Sequence, residues 1–231
     1  MHKYNIVIYH ANCHDGFGSA SIVYKKLKET YGEEYVNTVE FHAAKYGTVP
    51  PFIDGKDVII VDFSYESEIM EYIQENSKSL FVIDHHKTSY ERLKKINKNN
   101  YVLSMDNAGV GLTWKHFYEN KDMPIFIKYL EDRDMWWNKL DYCKEVFLSI
   151  STLKKNFELW LKYIEKDSID NLIEMGKVLK LKEDDNLNQL LKSSYTRKFI
   201  IDNNEYNVAY INSKLYRSDL GNMLMKKYKD I

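Results

Sequence analysis

The chain has 231 residues, of which 44% are hydrophobic and 29% charged, so it can bury a sizeable core while staying soluble. Its net charge of −1 excludes a strong general attraction to nucleic acid, so a polyanion would have to be held by a local site. The sequence has no apolar run near the roughly 20 residues of a membrane helix, and Cys13 and Cys143 are too few for a disulfide framework. We therefore expect a cytoplasmic protein without a membrane partner.

The first predicted strand, residues 4–9, leads into a polar loop and then into a helix that begins near residue 15. The loop carries a cluster of side chains with nitrogen, oxygen or sulfur atoms: His10, Asn12, Cys13, His14 and Asp15. Gly16 and Gly18 would let the backbone come close to a bound group, and the helix start offers free N–H groups to an anion. An ordinary capped turn would look similar, so this loop by itself is a weak signal.

Two later strands are also followed by acidic residues. Each is a continuous apolar run, typical of a strand buried on both faces; one ends at Asp62 and the other at Asp84-His85-His86. Ligands of open α/β sheets bind outside the carboxyl ends of the strands, which is where these residues would lie. Asp62 could instead cap the next helix, but Ser64 is the better candidate for that role. Asp84 could likewise be a simple helix cap.

A predicted helix from about residue 125 ends in a charged segment that is followed by two tryptophans. The segment is Glu131-Asp132-Arg133-Asp134. It could be a local ion pair beneath an aromatic lid, or it could supply a further metal ligand. At 3.6 residues per turn, Asp132 and Asp134 point about 200° apart on a helix. Only one of them can then face a shared site.

The candidates for metal binding offer imidazole nitrogen and carboxylate oxygen. They are His10, Asp15, Asp62, His85 and Asp132 or Asp134, with Asp84 and His86 beside them. Without a thiolate pair, this set suits Mn²⁺, Mg²⁺, Fe²⁺ or Zn²⁺ rather than Cu⁺ or an iron–sulfur cluster. Converging carboxylates repel one another unless a cation neutralises them. Two cations about 3.5–4 Å apart could activate a water molecule for attack on a phosphoryl group.

The second half of the chain offers fewer chemical groups. Residues 142–192 show helical periodicity throughout, without a concentration of candidate catalytic side chains. A strand-turn-strand pattern over residues 199–211 predicts a hairpin, and residues 213–227 predict a last helix. A hairpin and one helix are too little for a stable domain by themselves.

Together, the first loop, Asp62, the triplet 84–86 and the segment 131–134 resemble the DHH phosphoesterase superfamily, over residues 4 to about 137. The resemblance implies a doubly wound α/β fold with a mainly parallel five-stranded sheet. It also implies a centre of two metal ions, usually Mn²⁺, with Mg²⁺ or another divalent ion as an alternative. The superfamily includes single-strand exonucleases, nano-RNA and pAp phosphatases, cyclic-dinucleotide phosphodiesterases and pyrophosphatases. The implied partner is a nucleotide or a short single-stranded oligonucleotide substrate.

The resemblance implies a role for each candidate residue. The metal ligands would be His10, Asp15, Asp62, His85 and Asp132. Asp84 would orient the histidines, and His86 would face the phosphate. Together with His85, these two residues would form the catalytic triplet.

For two metal-coordination positions of the superfamily, the matching residue in this sequence has to be chosen. The first loop lacks the superfamily's second carboxylate, and Asn12 or His14 would take its place. The superfamily's pattern favours Asp132 as the last ligand. Asp134 would then cap the helix or pair locally, for instance with Arg133.

We expect three parts in the chain: a DHH catalytic domain over residues 1–140, a helical connector over 141–195, and the start of a DHHA1-type substrate-binding domain over 196–231. Residues 210–223 resemble the beginning of such a domain. The glycine-rich histidine motif that follows in the superfamily is absent from this sequence. We therefore expect the second α/β domain to be incomplete.

The main functional hypothesis is a metal-dependent phosphoesterase, and its oligomeric state is left open, with a homodimer as one option. The departures in the first loop also allow a degenerate, non-catalytic module that binds a nucleotide or a metal. A purely structural α/β domain is the least favoured alternative, because several polar clusters at strand ends would then be coincidental.

Overall fold

A five-stranded parallel sheet forms the centre of the structure, a computed structural model that describes residues 2–166 and 168–228. Its strands are β1 (Ile6–His10), β2 (Glu40–Ala44), β3 (Asp57–Val61), β4 (Ser79–Asp84) and β5 (Tyr101–Leu103). They pair in the order β2-β1-β3-β4-β5, and all pairs are parallel. The predicted α/β fold with a five-stranded parallel sheet is confirmed.

Helices connect the strands and continue beyond the sheet. Within the first part of the chain they are α1 (His14–Tyr31), α2 (Glu33–Val36), α3 (Ser67–Asn76), α4 (Ser89–Arg92), α5 (Gly109–Phe117) and α6 (Ile125–Asp134). After them come α7 (Cys143–Thr152), α8 (Phe157–Glu165), α9 (Asp170–Lys192), the strands β6 (Tyr195–Ile201) and β7 (Asn204–Tyr210), and α10 (Arg217–Lys227).

The two faces of the sheet pack against different helices, because alternate residues of a strand point to opposite faces. Ile6 and Ile8 of β1 face a core that includes Met70 and Ile73 of α3. Val7, between them, faces the core formed with α1. Strands buried on both faces need uninterrupted apolar runs, which is why β1, β3 and β4 are so distinct in the sequence.

The strand order places a topological switch point between β1 and β3. From β1 the chain crosses through α1 to β2 on one side, whereas from β3 it crosses through α3 to β4 on the other side. The carboxyl ends of β1 and β3 therefore border a crevice, the usual ligand position in open α/β sheets. His10 and Asp62 lie at these two ends.

Helices α7, α8 and α9 extend the core beyond the sheet. Val146 of α7 and Trp160 of α8 are fully buried in the same cluster as Phe126 of α6. Helix α9 approaches α7 closely at Gly176, where a Cβ atom would lie 1.9 Å from the carbonyl oxygen of Glu145. Any side chain at residue 176 would therefore force the two helices apart.

The predicted hairpin and last helix are present. Strands β6 and β7 pair in antiparallel fashion, with Tyr195 opposite Tyr210. Every residue of β6 is exposed, and α10 packs against α9. In the part of the chain that the structure describes, no helix is long and apolar enough to cross a membrane.

Candidate metal centre

Asp62, the residue after β3, lies at the centre of a group of acidic and imidazole side chains. Its φ of 55° is in the left-handed region, which Asp adopts more readily than most residues. The side chain is 1% exposed, and neither carboxylate oxygen has a hydrogen-bond partner. A buried carboxylate without hydrogen-bond partners is costly unless cationic groups beside it stabilise it, so a bound cation would suit this position.

Three imidazoles surround Asp62. Nε2 of His85 lies 3.2 Å from Oδ1, Nδ1 of His10 lies 3.7 Å from Oδ2, and Nδ1 of His86 lies 3.8 Å from Oδ1. Burial alone would raise the pKa of Asp62, but these imidazoles hold it well below its usual range. The carboxylate is therefore charged at neutral pH.

Asp15, in the first turn of α1, supplies a second buried carboxylate. Its Oδ2 and Oδ1 accept hydrogen bonds from the backbone N–H groups of Gly109 (2.8 Å) and Val110 (2.7 Å), at the positive end of α5. Oδ2 also lies 3.5 Å from Nε2 of His85. Burial and the neighbouring carboxylates, first that of Asp62, raise the pKa of Asp15. A divalent cation would relieve this repulsion.

The structure places Asp134, and not Asp132, in this group. Oδ2 of Asp134 lies 3.6 Å from Nε2 of His85. The Asp132 carboxylate turns away, and its two oxygens accept hydrogen bonds from the backbone N–H groups of Lys139 (3.0 Å) and Leu140 (3.2 Å). This geometry favours Asp134 over the predicted Asp132 as the residue that faces the centre. Helix geometry allows only one of the two to face the centre, and the loop after α6 binds Asp132.

Asp84 is fully occupied by protein hydrogen bonds and holds His86. Its Oδ1 accepts the backbone N–H groups of His85 (2.7 Å) and His86 (3.2 Å), and the Nδ1–H of His86 at 2.8 Å. Its Oδ2 accepts the hydroxyl of Ser89 at 2.5 Å. Burial alone would lower the pKa of His86, but this contact with Asp84 raises it. Asp84 thus orients His86, whose role in catalysis stays a prediction.

Three donor groups among the described residues could each hold a metal ion. They are His10, Cys13 and Asp62; Asp62, His85 and His86; and Asp15, His85 and Asp134. In each group the ligand atoms lie within 4.8 Å of one another, and Asp62 and His85 each belong to two groups. Nδ1 of His10, like the oxygens of Asp62, is buried without a hydrogen-bond partner. Nitrogen, oxygen and one sulfur donor in this arrangement fit divalent cations.

Comparison with known proteins places these motifs in one family. A sequence model described as the DHH family, N-terminal domain, matches residues 5–133, which is more than half of the chain. The chain belongs to the DHH family. The resemblance inferred from the sequence is thereby confirmed for the DHH part, and the DHHA1-type segment stays a prediction.

Two proteins described as uncharacterized are also similar to this DHH chain. One, from Acanthamoeba polyphaga mimivirus, is 31% identical over 231 residues, with 96% of this chain and 54% of the relative covered. The chain thus spans about half the length of that relative. The crystal structure of the other, from Helicobacter pylori, has a TM-score of 0.50 at 12% identity and covers 100% of this chain and 81% of that one. At such low identity the likeness shows the fold alone.

The first loop of this DHH protein brings Cys13 to the candidate metal centre. His14 belongs to none of the candidate donor groups that His, Cys, Asp and Glu form among the described residues. The ring of His14 stacks on that of Trp160, and burial, aided by the charge of Lys155, lowers its pKa to about 4. That Asn12 or His14 takes the missing coordination position stays a prediction. Cys13 was visible in the sequence, but a single thiol there gave no signal of its own.

Gly109 lies at the start of α5, where the candidate metal centre leaves no room for a side chain. A Cβ atom at this position would lie 2.6 Å from Cβ of Asp62 and 2.9 Å from Oδ2 of Asp15. The small residues at 108–111 suggest tight packing from the sequence alone. Their partner Asp15 lies 94 residues before Gly109, so only the fold reveals it.

Gly109→Ala is expected to displace both carboxylates, to destabilise the fold by about 1–3 kcal/mol, and to weaken Mn²⁺ binding. Gly221→Ala, in α10, is a matched control, because its Cβ would meet nothing within 4 Å. Alanine inside a helix should stabilise the control by about 0.5–1 kcal/mol. Thermal unfolding and Mn²⁺ titration of the two variants measure both effects. Wild-type Mn²⁺ affinity in Gly109→Ala would contradict the packing described here.

A cleft of about 480 Å³ opens beside the centre, next to Asp134. Further lining side chains could contact an anionic ligand that carries a ring: Asn12, His14, Arg133, Trp136, Lys214 and Arg217. The guanidinium of Arg133 lies 4.4 Å from the ring centroid of Trp136 and pairs with Asp219 of α10 at 3.2 Å. Sequence reasoning missed this cleft, because its cationic residues come from segments that are far apart in the chain.

Proposed function

We propose that this DHH protein is a metal-dependent phosphoesterase that hydrolyses phosphate ester bonds of nucleotides or short single-stranded oligonucleotides. The observation that carries the proposal is the Asp62 carboxylate, buried without hydrogen-bond partners among further carboxylates and three imidazoles. Divalent cations stabilise such a group. Membership of the DHH family, whose fold is of the phosphoesterase type, supports the same reaction class.

The proposed metals are two divalent ions. The residues that would hold them are His10, Asp15, Asp62, His85 and Asp134. Because Asp62 and His85 each belong to two donor groups, the arrangement supports a paired centre rather than a single ion. Mn²⁺ is the usual ion of the superfamily, and Mg²⁺ would also suit the oxygen donors. Divalent ions in such a centre lower the pKa of a water molecule and offset the charge of a phosphoryl group.

In this proposal each residue of the triplet Asp84, His85 and His86 has its own role. His85 would bind metal, and its backbone N–H donates a hydrogen bond to Oδ1 of Asp84. His86, whose side chain is 30% exposed, is held at Nδ1 by Asp84, whose charge raises the pKa of this imidazole. As the imidazolium it would donate a hydrogen bond from Nε2 to a phosphoryl oxygen. Asp84 acts through the two histidines, since its Oδ1 accepts the backbone N–H groups of both and the Nδ1–H of His86.

The cleft beside the centre favours a nucleotide over inorganic pyrophosphate as the substrate. Lys214 and Arg217 would attract phosphate groups. The ring of Trp136 is 43% exposed and offers a surface on which a base can stack. Pyrophosphate has no ring that could use this aromatic surface.

A panel of four substrates tests the proposal: a dinucleotide, pAp, cyclic di-AMP and inorganic pyrophosphate. We expect Mn²⁺-dependent hydrolysis of at least one nucleotide substrate, abolished by EDTA and by Asp62→Ala or His85→Ala. Activity that survives EDTA and both substitutions would exclude this mechanism. Binding of metal or nucleotide without turnover of any substrate would favour the non-catalytic alternative.

Lys214→Ala and Arg217→Ala are each expected to raise KM for the dinucleotide about tenfold, which corresponds to about 1.4 kcal/mol. Loss of one charge-assisted contact has this magnitude. We expect kcat to change little, since both residues line the cleft and belong to no metal group of the described chain. Lys198→Ala, on the exposed hairpin, is the matched control. If KM is unchanged in both cleft variants, or rises equally in the control, the cleft does not bind the substrate.

A further inference from the structure

The thiol of Cys13 faces the metal centre, although the proposed hydrolysis does not require a thiol. Its Sγ lies within 4.8 Å of the ligand atoms of His10 and Asp62. We propose that Cys13 binds a metal ion as a thiolate, together with His10 and Asp62. This assignment rests on the metal centre of the proposed function and fills the position left by the superfamily's missing carboxylate.

Two neighbouring groups point independently to a cation at this position. Both oxygens of Asp62 and Nδ1 of His10 are buried and have no hydrogen-bond partner. The Asp62 side chain is 1% exposed, so bulk water cannot satisfy it. A metal ion bound by His10, Cys13 and Asp62 would satisfy Nδ1 of His10 and one oxygen of Asp62, and the other oxygen would be left for a second ion.

Backbone contacts hold Cys13 in place. It is the residue before α1, and its carbonyl oxygen accepts hydrogen bonds from the N–H of Phe17 at 3.3 Å and from Nζ of Lys155 at 3.0 Å. Cys143 lies in the hydrophobic core on α7, and both cysteines are free thiols. The Cys13 sulfur is therefore available for coordination.

A thiolate ligand changes which metal this position prefers. Sulfur is a softer donor than oxygen and favours Zn²⁺, Co²⁺ or Fe²⁺ over Mn²⁺ and Mg²⁺. The neighbouring group of Asp15, His85 and Asp134 has only nitrogen and oxygen donors, which suit Mn²⁺. We therefore expect the two positions to differ in preference. The thiol proton passes to the solvent when the metal binds.

Co²⁺ loading of the metal-free protein tests the assignment, because a thiolate bound to Co²⁺ produces a sulfur-to-metal charge-transfer band in the near ultraviolet. We expect this band in the wild type and in Cys143→Ala, the matched control. It should be absent in Cys13→Ser. In Cys13→Asp, which restores a carboxylate, the ratio of Zn²⁺ to Mn²⁺ affinity should fall about 10- to 100-fold.

The thiolate assignment and the proposed function can fail separately in this experiment. A wild-type protein that binds Co²⁺ without the band, or a Cys13→Ser protein that keeps it, overturns the thiolate assignment and leaves the phosphoesterase proposal standing. A band in a protein that hydrolyses no substrate supports the assignment and counts against the enzyme. A protein that binds no Co²⁺ overturns both.

Alkylation of the unmodified chain gives a second readout that needs no variant. Iodoacetamide should modify Cys13 more slowly when Zn²⁺ is bound, as measured by mass spectrometry of its peptide. Peptides that contain Cys143 serve as the internal reference, since this thiol lies in the hydrophobic core. Equal rates at Cys13 with and without Zn²⁺, in protein that binds Zn²⁺, would overturn the assignment.

Discussion

Asp62→Asn is expected to lower metal affinity at least about 100-fold and to abolish phosphoesterase activity. Removing a hydrogen-bond partner of a metal ligand already costs about 10- to 100-fold, and Asp62 belongs itself to two of the three donor groups. Asn adopts positive φ as readily as Asp, so the substitution should leave the backbone turn after β3 intact. Isothermal titration with Mn²⁺ measures the affinity, and a substrate assay measures the activity.

Asp57→Asn is the matched control, because Asp57 lies at the opposite end of the same strand and is also buried. Its carboxylate contacts the hydroxyl of Ser79 at 2.8 Å, Nζ of Lys78 at 2.9 Å and Nε2 of His2 at 2.9 Å. We expect this variant to lose about 1–3 kcal/mol of stability and to keep its metals. If Asp62→Asn binds Mn²⁺ as the wild type does, Asp62 is not a ligand.

We expect different losses from Asp134→Asn and Asp132→Asn: the first should weaken metal binding, and the second should destabilise the fold. Asp134 lies in the donor group with Asp15 and His85, so its replacement should weaken metal binding at least about tenfold and reduce activity. The fold should change little, since the Asp134 side chain is 28% exposed and burial raises the pKa of its carboxyl group.

Asp132→Asn should instead destabilise the protein. Both Asp132 oxygens accept backbone N–H groups, from Lys139 and Leu140, and an amide group would turn a donor toward one of them. An unsatisfied buried donor costs about 1–3 kcal/mol. Chemical denaturation and Mn²⁺ titration of both variants measure the two effects. The assignment is wrong if Asp132→Asn loses its metals while Asp134→Asn retains them.

The sheet could be predicted from the sequence because its strands are buried on both faces. Such strands consist of continuous apolar runs, and the run from Val58 to Val61 ends directly at Asp62. The carboxyl ends of parallel strands share one edge of a sheet. The sequence alone therefore predicts that His10, Asp62 and His85 meet.

The choice between Asp132 and Asp134 could not be predicted, because it depends on contacts between distant parts of the fold. Helix geometry showed that only one of them could face the centre. Which one does so depends on where the chain runs after α6, and there the N–H groups of Lys139 and Leu140 bind Asp132. The sequence pattern around residues 131–134 does not indicate which path the chain takes after α6.

The partners of Asp15 and the proximity of Cys13 to Asp62 were hidden for the same reason. Asp15 binds Gly109 and Val110, which are 94 and 95 residues away. Cys13 and Asp62 come from different strand ends and meet only because β1 and β3 are neighbours in the sheet. Sequence patterns show which residues can perform chemistry, and tertiary packing decides which of them come together.

Anomalous diffraction from crystals grown with Mn²⁺ and Zn²⁺ would test the metal centre most directly. We predict two metal peaks beside the Asp62 carboxylate, one next to Sγ of Cys13 and the other next to Asp134. Zn²⁺ should be enriched at the first position and Mn²⁺ at the second. A map without a metal peak at Asp62, or with a metal bound by Asp132, would contradict the account.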